Sequence, residues 1–252
     1  MPDTLFGKTA LITGGGHRIG RAIALSLAQE KVGCVIQSLP EHGESAAEVV
    51  REIKTAGVEA QVVRADFSKP GGAETIFSAL KKRNIRIDYL INSASTFEKS
   101  GIFDIGIKQL AAALTVNAFS PLILARDFVR QTQTGVIINI LDTRISGCDT
   151  EHAGYFLSKT MLFRLTEMMA LECAPGIRVN AVAPGLILPP KGKTNSYLEE
   201  IRHRNLLNRY GCTKNVTDSV IFLLKNDFIT GETLFVDGGE RLKKNRYDGQ
   251  SR

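Results

Sequence analysis

Tyr155 and Lys159, in the segment YFLSK, stand four residues apart and share one face of a helix if that segment is helical. A phenol has an ordinary pKa of about 10 and is protonated at neutral pH. A neighbouring ammonium lowers that value, so the pair would serve as a proton donor with a relay behind it. Alone, such a spacing is common on helix surfaces; its weight comes from what precedes it. Near the start, TGGGHRIG (residues 13–20) follows the apolar run Thr9–Thr13 and leads into a helical pattern over Ile19–Glu30. Glycines let the backbone approach a pyrophosphate, and the free N–H groups of the next helix favour an anion. A strand before and a helix after make this a dinucleotide-binding context rather than a bare tight turn.

The type of dinucleotide is read at the end of the second apolar run. Folds that use NAD place an acid there to accept from the ribose hydroxyls. Here Gln37 and Ser38 occupy that end, and the first acid, Glu41, comes after Pro40. His17 and Arg18 add one possible and one certain positive charge in the glycine loop. The expectation is NADPH rather than NADH, with the Arg18 fork suited to phosphate.

The elements that must position these residues alternate. Apolar, β-prone runs recur at Thr9–Thr13, Val32–Ser38, Ala60–Arg64, Ile87–Ile91, Val136–Leu141, Arg178–Val182 and Thr233–Val236, with helical periodicity between them. The pattern predicts an α/β chain: a single doubly wound Rossmann domain on a mainly seven-stranded parallel sheet. Long helices are predicted from about Gln109 to Thr132, where Pro121 is expected to kink the run, and from about His152 to Glu172. No linker or internal repeat divides the 252 residues. The reductase domain is therefore drawn over residues 1–239, with a mobile, substrate-selecting loop at about 186–207 and a basic tail at 240–252.

Composition narrows the partners. The chain carries 32 Lys+Arg against 26 Asp+Glu, a net charge of +6. Half of that excess lies in the tail, which reads as solvated, and the remainder is too mild for a nucleic-acid protein. No long uninterrupted apolar run suggests a membrane span, and the N-terminus does not resemble a signal peptide. Four scattered cysteines and four scattered histidines show no ligand spacing, so neither a metal nor a disulfide framework is expected, and a cytoplasmic location is.

Taken together, TGGGHRIG, NSAS at 92–95, Asn117, YFLSK, APG at 183–185 and VDGG at 236–239 resemble the short-chain dehydrogenase/reductases over almost the whole chain. The resemblance implies that Tyr155, Lys159 and Asn117 are catalytic, Asn117 holding a water between Lys159 and solvent by its side chain or local carbonyl. It also implies cofactor contacts from Gly14, His17, Arg18, Ile19, Gly20, Ser38, Asp66, Phe67, Asn92, Ser93, Ala94, Tyr155, Lys159, Pro184, Gly185 and Leu186. Asp66 and Phe67 would face the adenine. Subunit pairing through the two long helices, as a homotetramer rather than a dimer, is implied as well.

Two departures from the general pattern are informative. Arg18 stands at the usual middle glycine, and Asp142 stands 13 residues before Tyr155, where a serine is usual. Both resemble the pteridine reductase branch, which includes dihydromonapterin and dihydrofolate reductases, as do RADFS, NSASTF and APGLIL. A serine hydroxyl suits a carbonyl oxygen, whereas an ionised carboxylate only accepts and so wants the amino and ring N–H groups of a pterin. A protonated Asp142 would instead help Tyr155 deliver a proton to a ring nitrogen. The substrate set is then Arg18, Ser95, Phe97, Asp142 and Tyr155, with Phe97 covering the pterin. The expected reaction is NADPH-dependent reduction of a C=N bond in dihydromonapterin, dihydrobiopterin or dihydrofolate. Reduction of a 3-oxoacyl thioester or another carbonyl is the alternative, and a non-catalytic NADP-binding regulator the remote one.

Overall fold

In the computed structural model, which describes residues 5–244, seven parallel strands form one sheet. They are β1 Thr9–Thr13, β2 Gly33–Ser38, β3 Ala60–Arg64, β4 Tyr89–Asn92, β5 Gly135–Ile140, β6 Ile177–Pro184 and β7 Thr233–Val236. Their spatial order is β3-β2-β1-β4-β5-β6-β7. The chain winds outward from β1 in one direction and from β4 in the other, so the crossovers diverge between those two strands. A crevice opens there at the carboxyl ends, which is where doubly wound sheets bind ligands.

The strands are apolar on both faces because helices cover both. Ala10, Ile12, Ile36, Ile91 and Ile138 pack against α1 (Arg18–Gln29), α2 (Gly43–Thr55) and α8 (Thr213–Lys225), through Ile23, Leu27, Val49 and Val220. Leu11, Val35, Leu90 and Ile137 point the other way. They meet Ile76 and Leu80 of α3 (Glu74–Lys82), Leu124 and Phe128 of α5 (Ser120–Gln131) and Met169 of α6 (Ala153–Cys173).

The predicted helix over 109–132 is α4 (Ile107–Leu114), a π-helical turn (Thr115–Phe119) and α5 in succession. Pro121 sits in the first turn of α5 and has no N–H to offer the carbonyl four residues back. In the widened turn ahead of it, Ser120 directs both its N–H and, at 2.8 Å, its hydroxyl to the Thr115 carbonyl. The run Ile107–Gln131 is long and apolar enough to cross a membrane by length and composition. Its inner side, with Val116, Leu124 and Phe128, lies in the core.

Two segments differ from expectation. Within the loop expected to be mobile, Asn195–Ile201 forms α7, with Leu198 and Ile201 buried. Of the expected solvated tail, Glu240–Lys244 forms α9: Glu240 is buried and the Arg241 guanidinium lies 4.3 Å over the Phe235 ring. The rest of that tail lies outside the described residues.

Candidate active site

The glycine loop is closed by contacts that leave no room for side chains. A Cβ at Gly20 would lie 2.4 Å from the Gly14 carbonyl oxygen, and Gly14 itself has φ +63° with the Ala94 backbone 3.0 Å from where its Cβ would be. The Gly14 N–H donates to the Gln37 side-chain oxygen (2.8 Å), while the Gln37 amide donates to the Ala65 carbonyl (2.8 Å). Across the crevice, the Thr13 hydroxyl accepts from the N–H groups of Ser93 (2.9 Å) and Ala94 (3.0 Å). Thr13 thereby ties the end of β4 to the end of β1.

His17 is the N-cap of α1 and sits edge-on to His42 at 5.0 Å. Burial first, then the nearby His42 and Lys191, hold the His17 pKa below its ordinary value, so the charge allowed for at His17 is absent near neutral pH in the free protein. Arg18 opens α1 at φ +50°, a conformation that suits glycine, and its guanidinium donates to the Pro189 carbonyl at 2.9 Å. It bridges the glycine loop to the 186–207 segment. Ile19 packs on the core beneath.

At the far end of the crevice Ser38 is buried, and its hydroxyl has no hydrogen-bond partner among the described residues. Asp66 forms a turn with Ser68, accepting from its N–H (2.9 Å) and hydroxyl (2.6 Å), and those bonds hold its carboxyl below the usual range. Phe67 is buried in the core, so only its backbone remains to face a base. Pro184 ends β6, and Gly185 is packed against Asp237, whose Cα would be 2.8 Å from an added Cβ. Leu186 accepts the Gly211 N–H at 2.9 Å.

Between these ends lie Asp142, Tyr155 and Lys159, the residues expected to handle the proton. The 3-10 turn Thr143–Ser146 starts at Asp142, whose Oδ1 accepts the Arg144 N–H at 2.8 Å. Its Oδ2 accepts the Tyr155 hydroxyl at 2.9 Å. Burial, and then this carboxylate, push the Tyr155 phenol well above its usual pKa. The expected lowering by Lys159 is therefore overridden. Lys159 is fully enclosed, donates to the Ile140 carbonyl at 2.7 Å and is lowered by burial to about 8, with its ammonium 5.8 Å from the Tyr155 ring centre.

The Asn117 side chain is committed to structure. Its oxygen accepts the Thr96 N–H (2.8 Å) and the Ser95 hydroxyl (3.1 Å), and its amide donates to the Thr96 carbonyl (3.0 Å) and Ser158 (2.9 Å). Of the two routes expected for a relaying water, the side chain is thereby used up and the local carbonyl, within the π turn, remains. Asn92 likewise turns inward, donating to Asn139 (2.8 Å), which donates to Thr166 (2.9 Å). Phe97 is 46% exposed and meets Tyr155 edge-to-face at 4.7 Å. The His152 ring stacks on it at 4.2 Å.

Sequence reasoning missed Gln37 and Thr13 as braces, the Asn139–Thr166 pair, and the group Arg144, Asp149 and His152. Only buried polar residues inside apolar runs, such as Asn139 in GVIINI, carried a signal that could have found any of them. The glycine cradle and the unpartnered Ser38 hydroxyl fit a phosphorylated dinucleotide, and no group of metal-ligating side chains occurs among the described residues.

Fold and site together define a doubly wound, dinucleotide-dependent oxidoreductase. The family model described as enoyl-(acyl carrier protein) reductase matches residues 15–240, and the chain belongs to that family, within the short-chain dehydrogenase/reductases. It is 32% identical over 251 residues to the uncharacterized oxidoreductase YohF of Escherichia coli, covering 96% of this chain and 98% of that one. It is 30% identical over 244 residues to the 3-oxoacyl-[acyl-carrier-protein] reductase FabG of Staphylococcus epidermidis, covering 92% and 98%. Among solved structures, FolM alternative dihydrofolate reductase 1 of Brucella canis, complexed with NADP, superposes with a TM-score of 0.88 at 29% identity, covering 97% and 98%.

Proposed function

We propose that this NADP-dependent reductase reduces a C=N bond of a pterin of the dihydromonapterin, dihydrobiopterin or dihydrofolate class, in the cytoplasm. The observation that carries the reading is Asp142: a carboxylate, in place of the usual serine, in direct hydrogen bond with the Tyr155 hydroxyl at 2.9 Å. Bound NADPH supplies the hydride. The glycine loop, Ser38 and the backbone at Ser93 and Ala94 would hold the cofactor, with Arg18 and the Pro184–Leu186 turn at its flanks. Tyr155, kept neutral by burial and by Asp142, gives its proton to the ring nitrogen as charge develops there, and Lys159 stands behind to restore it. Asp142 presents its acceptor oxygens to the amino and ring N–H groups of the heterocycle. The free part of the Phe97 ring offers a platform against which a flat ring stacks. The likeness to FolM supports this reading; the likeness to FabG supports the carbonyl alternative, which the absence of a serine at 142 disfavours.

The test is NADPH oxidation with dihydromonapterin, dihydrobiopterin, dihydrofolate and an acetoacetyl thioester, for the wild type and for Asp142→Ser. Dihydropterin turnover by the wild type should fall roughly ten- to a thousand-fold in kcat/KM on substitution, about 1.4 to 4 kcal/mol of transition-state stabilisation. Thioester activity should hold or rise, because serine restores a donor for a carbonyl oxygen. Intact dihydropterin kinetics in Asp142→Ser, with loss only in Tyr155→Phe, would leave Asp142 as the cap of a turn and remove the pterin assignment.

A further inference from the structure

Arg144 is not part of the proton-handling set, yet it is built into it on three sides. Its Nε lies 3.8 Å from Asp142 Oδ1, the oxygen that also accepts its own N–H. Its Nη1 is bonded to Asp149 Oδ2 and lies 3.2 Å from His152 Nδ1. Its guanidinium carbon sits 5.0 Å over the Phe97 ring. Asp149 is a rigid anchor, because its Oδ1 accepts the N–H groups of Glu151 (2.8 Å) and His152 (3.1 Å). Its side chain is only 13% exposed, against 32% for Arg144 and 22% for Asp142. The group is therefore shielded enough for its charges to act on one another.

We infer that Arg144 is a positioning residue: seated between Asp142 and Asp149, it fixes the Asp142 carboxylate as acceptor of the Tyr155 hydroxyl and so sets the pose from which Tyr155 gives up its proton. A carboxylate turns readily about its last bond, and one backbone N–H holds a single oxygen. The guanidinium adds a second, charged contact on the same oxygen, which leaves Oδ2 aimed at Tyr155. Charge agrees with geometry. Burial alone would lower the Arg144 pKa, but Asp142 and Asp149 raise it above its ordinary value, so the cation is permanent. That cation is also the neighbour that pulls the Tyr155 phenol back down against burial and Asp142, which makes Tyr155 a better acid than it would otherwise be. His152, stacked on Phe97, closes the ring of contacts from Asp149 back to Tyr155. The inference rests on Tyr155 being the proton donor and does not depend on which substrate receives the proton.

The experiment compares the full-length wild type with Arg144→Gln and Arg144→Lys, with Asp149→Asn as a second way to free the guanidinium should Arg144→Gln not fold. Tyrosine labelled at the ring carbon bearing the hydroxyl reports the Tyr155–Asp142 bond by NMR without any substrate, its signal assigned by its loss in Tyr155→Phe. The signal should move in Arg144→Gln and Asp149→Asn and stay near the wild-type position in Arg144→Lys. For dihydrobiopterin or acetoacetyl thioester, whichever is reduced, kcat should fall about 10- to 100-fold in Arg144→Gln, the order expected from misplacing a reacting group. Arg144→Lys should recover part of the loss, with NADPH affinity by fluorescence titration unchanged. An unmoved Tyr155 signal with unchanged kcat, or equal losses in Gln and Lys that track only the melting temperature, would reduce Arg144 to a staple of its turn. Because the NMR readout needs no substrate, it separates that outcome from a failure of the pterin reading.

Discussion

For the acid role proposed for Tyr155, what matters is that its neutral form is the stable one. A buried phenol facing a carboxylate resists ionisation, and protonating a substrate nitrogen needs a donor that still holds its proton when the substrate arrives. Lys159 has the opposite problem. Enclosed and lowered to about 8, its ammonium persists at neutral pH and is lost as pH rises through that value. We therefore expect kcat/KM for NADPH oxidation, which reports the free enzyme, to be flat below pH 8 and to fall about tenfold per unit above it. Unfolding would not explain the fall. With a folded value of about 8 against an ordinary 10.5, the unfolded chain binds the extra proton in that window, so the Lys159 contribution to stability rises with pH there. Melting curves at pH 7.5 and 9.5 run beside the rate profile check this, and a flat profile to pH 10 would remove Lys159 from the proton path. That Tyr155 and Lys159 come together was legible from residue type and spacing, and Asp142 joined them only through the family resemblance. The inward turn of Asn92 and the full commitment of Asn117 were not, since a side-chain amide reads the same whether it faces a ligand or another strand.

At the scale of elements, β5 leads into Asp142 and β6 into the Pro184–Leu186 turn, and β6 is pinned near its start. Arg178, near the start of β6, donates to the carbonyls of Leu223 (2.9 Å), Leu224 (3.0 Å) and Ile229 (2.9 Å). Two of those lie in the last turn of α8, where carbonyls lack helical partners and a cation meets the negative end of the helix. Arg178→Met keeps the aliphatic stem but strands the Leu223 and Leu224 carbonyls, while that of Ile229 keeps the Asn180 amide at 2.9 Å, and should cost about 2 kcal/mol, or roughly 4–8 °C in Tm for a chain of this size. Calorimetry on the two proteins decides it, and a shift under about 2 °C would mean that water takes over the carbonyls. The strands were legible where apolar runs are bounded by turn residues: β1, β3 and β7 fall where expected. The π turn before α5 and the helix inside 195–201 were not. The first is a change of hydrogen-bond partner that leaves the apolar stripe intact, and the second hides two buried residues, Leu198 and Ile201, in a polar, proline-flanked segment.

At the scale of the whole molecule, large apolar side chains are exposed in several places among the described residues, and two sets of them bear on assembly. One lies on the helices flanking the site: Phe119 and Val129 on the π turn and α5, and Leu157, Met168 and Leu171 on α6, with Leu171 82% exposed. The other lies on the last turns of α8 and just beyond it, with Phe222 and a nearly bare Phe228. Scattered exposed apolar residues are normal, but large side chains gathered on neighbouring helices mark an interaction surface. A two-fold pairing through one area buries only that area, because each copy meets the same patch on its partner. Two separate areas call for two two-fold axes, and two such axes at right angles generate a tetramer. We expect light scattering to give four times the 27.5 kDa of one chain. Charging one patch should halve that mass without unfolding the chain: Leu171→Glu leaves the α8 pairing, and Phe228→Glu leaves the α6 pairing. Each variant should run as a dimer and the double variant as a monomer. A wild type that scatters as a monomer would show that both areas tolerate water. A dimer that Leu171→Glu dissociates and Phe228→Glu leaves intact would assign the second area no role in assembly.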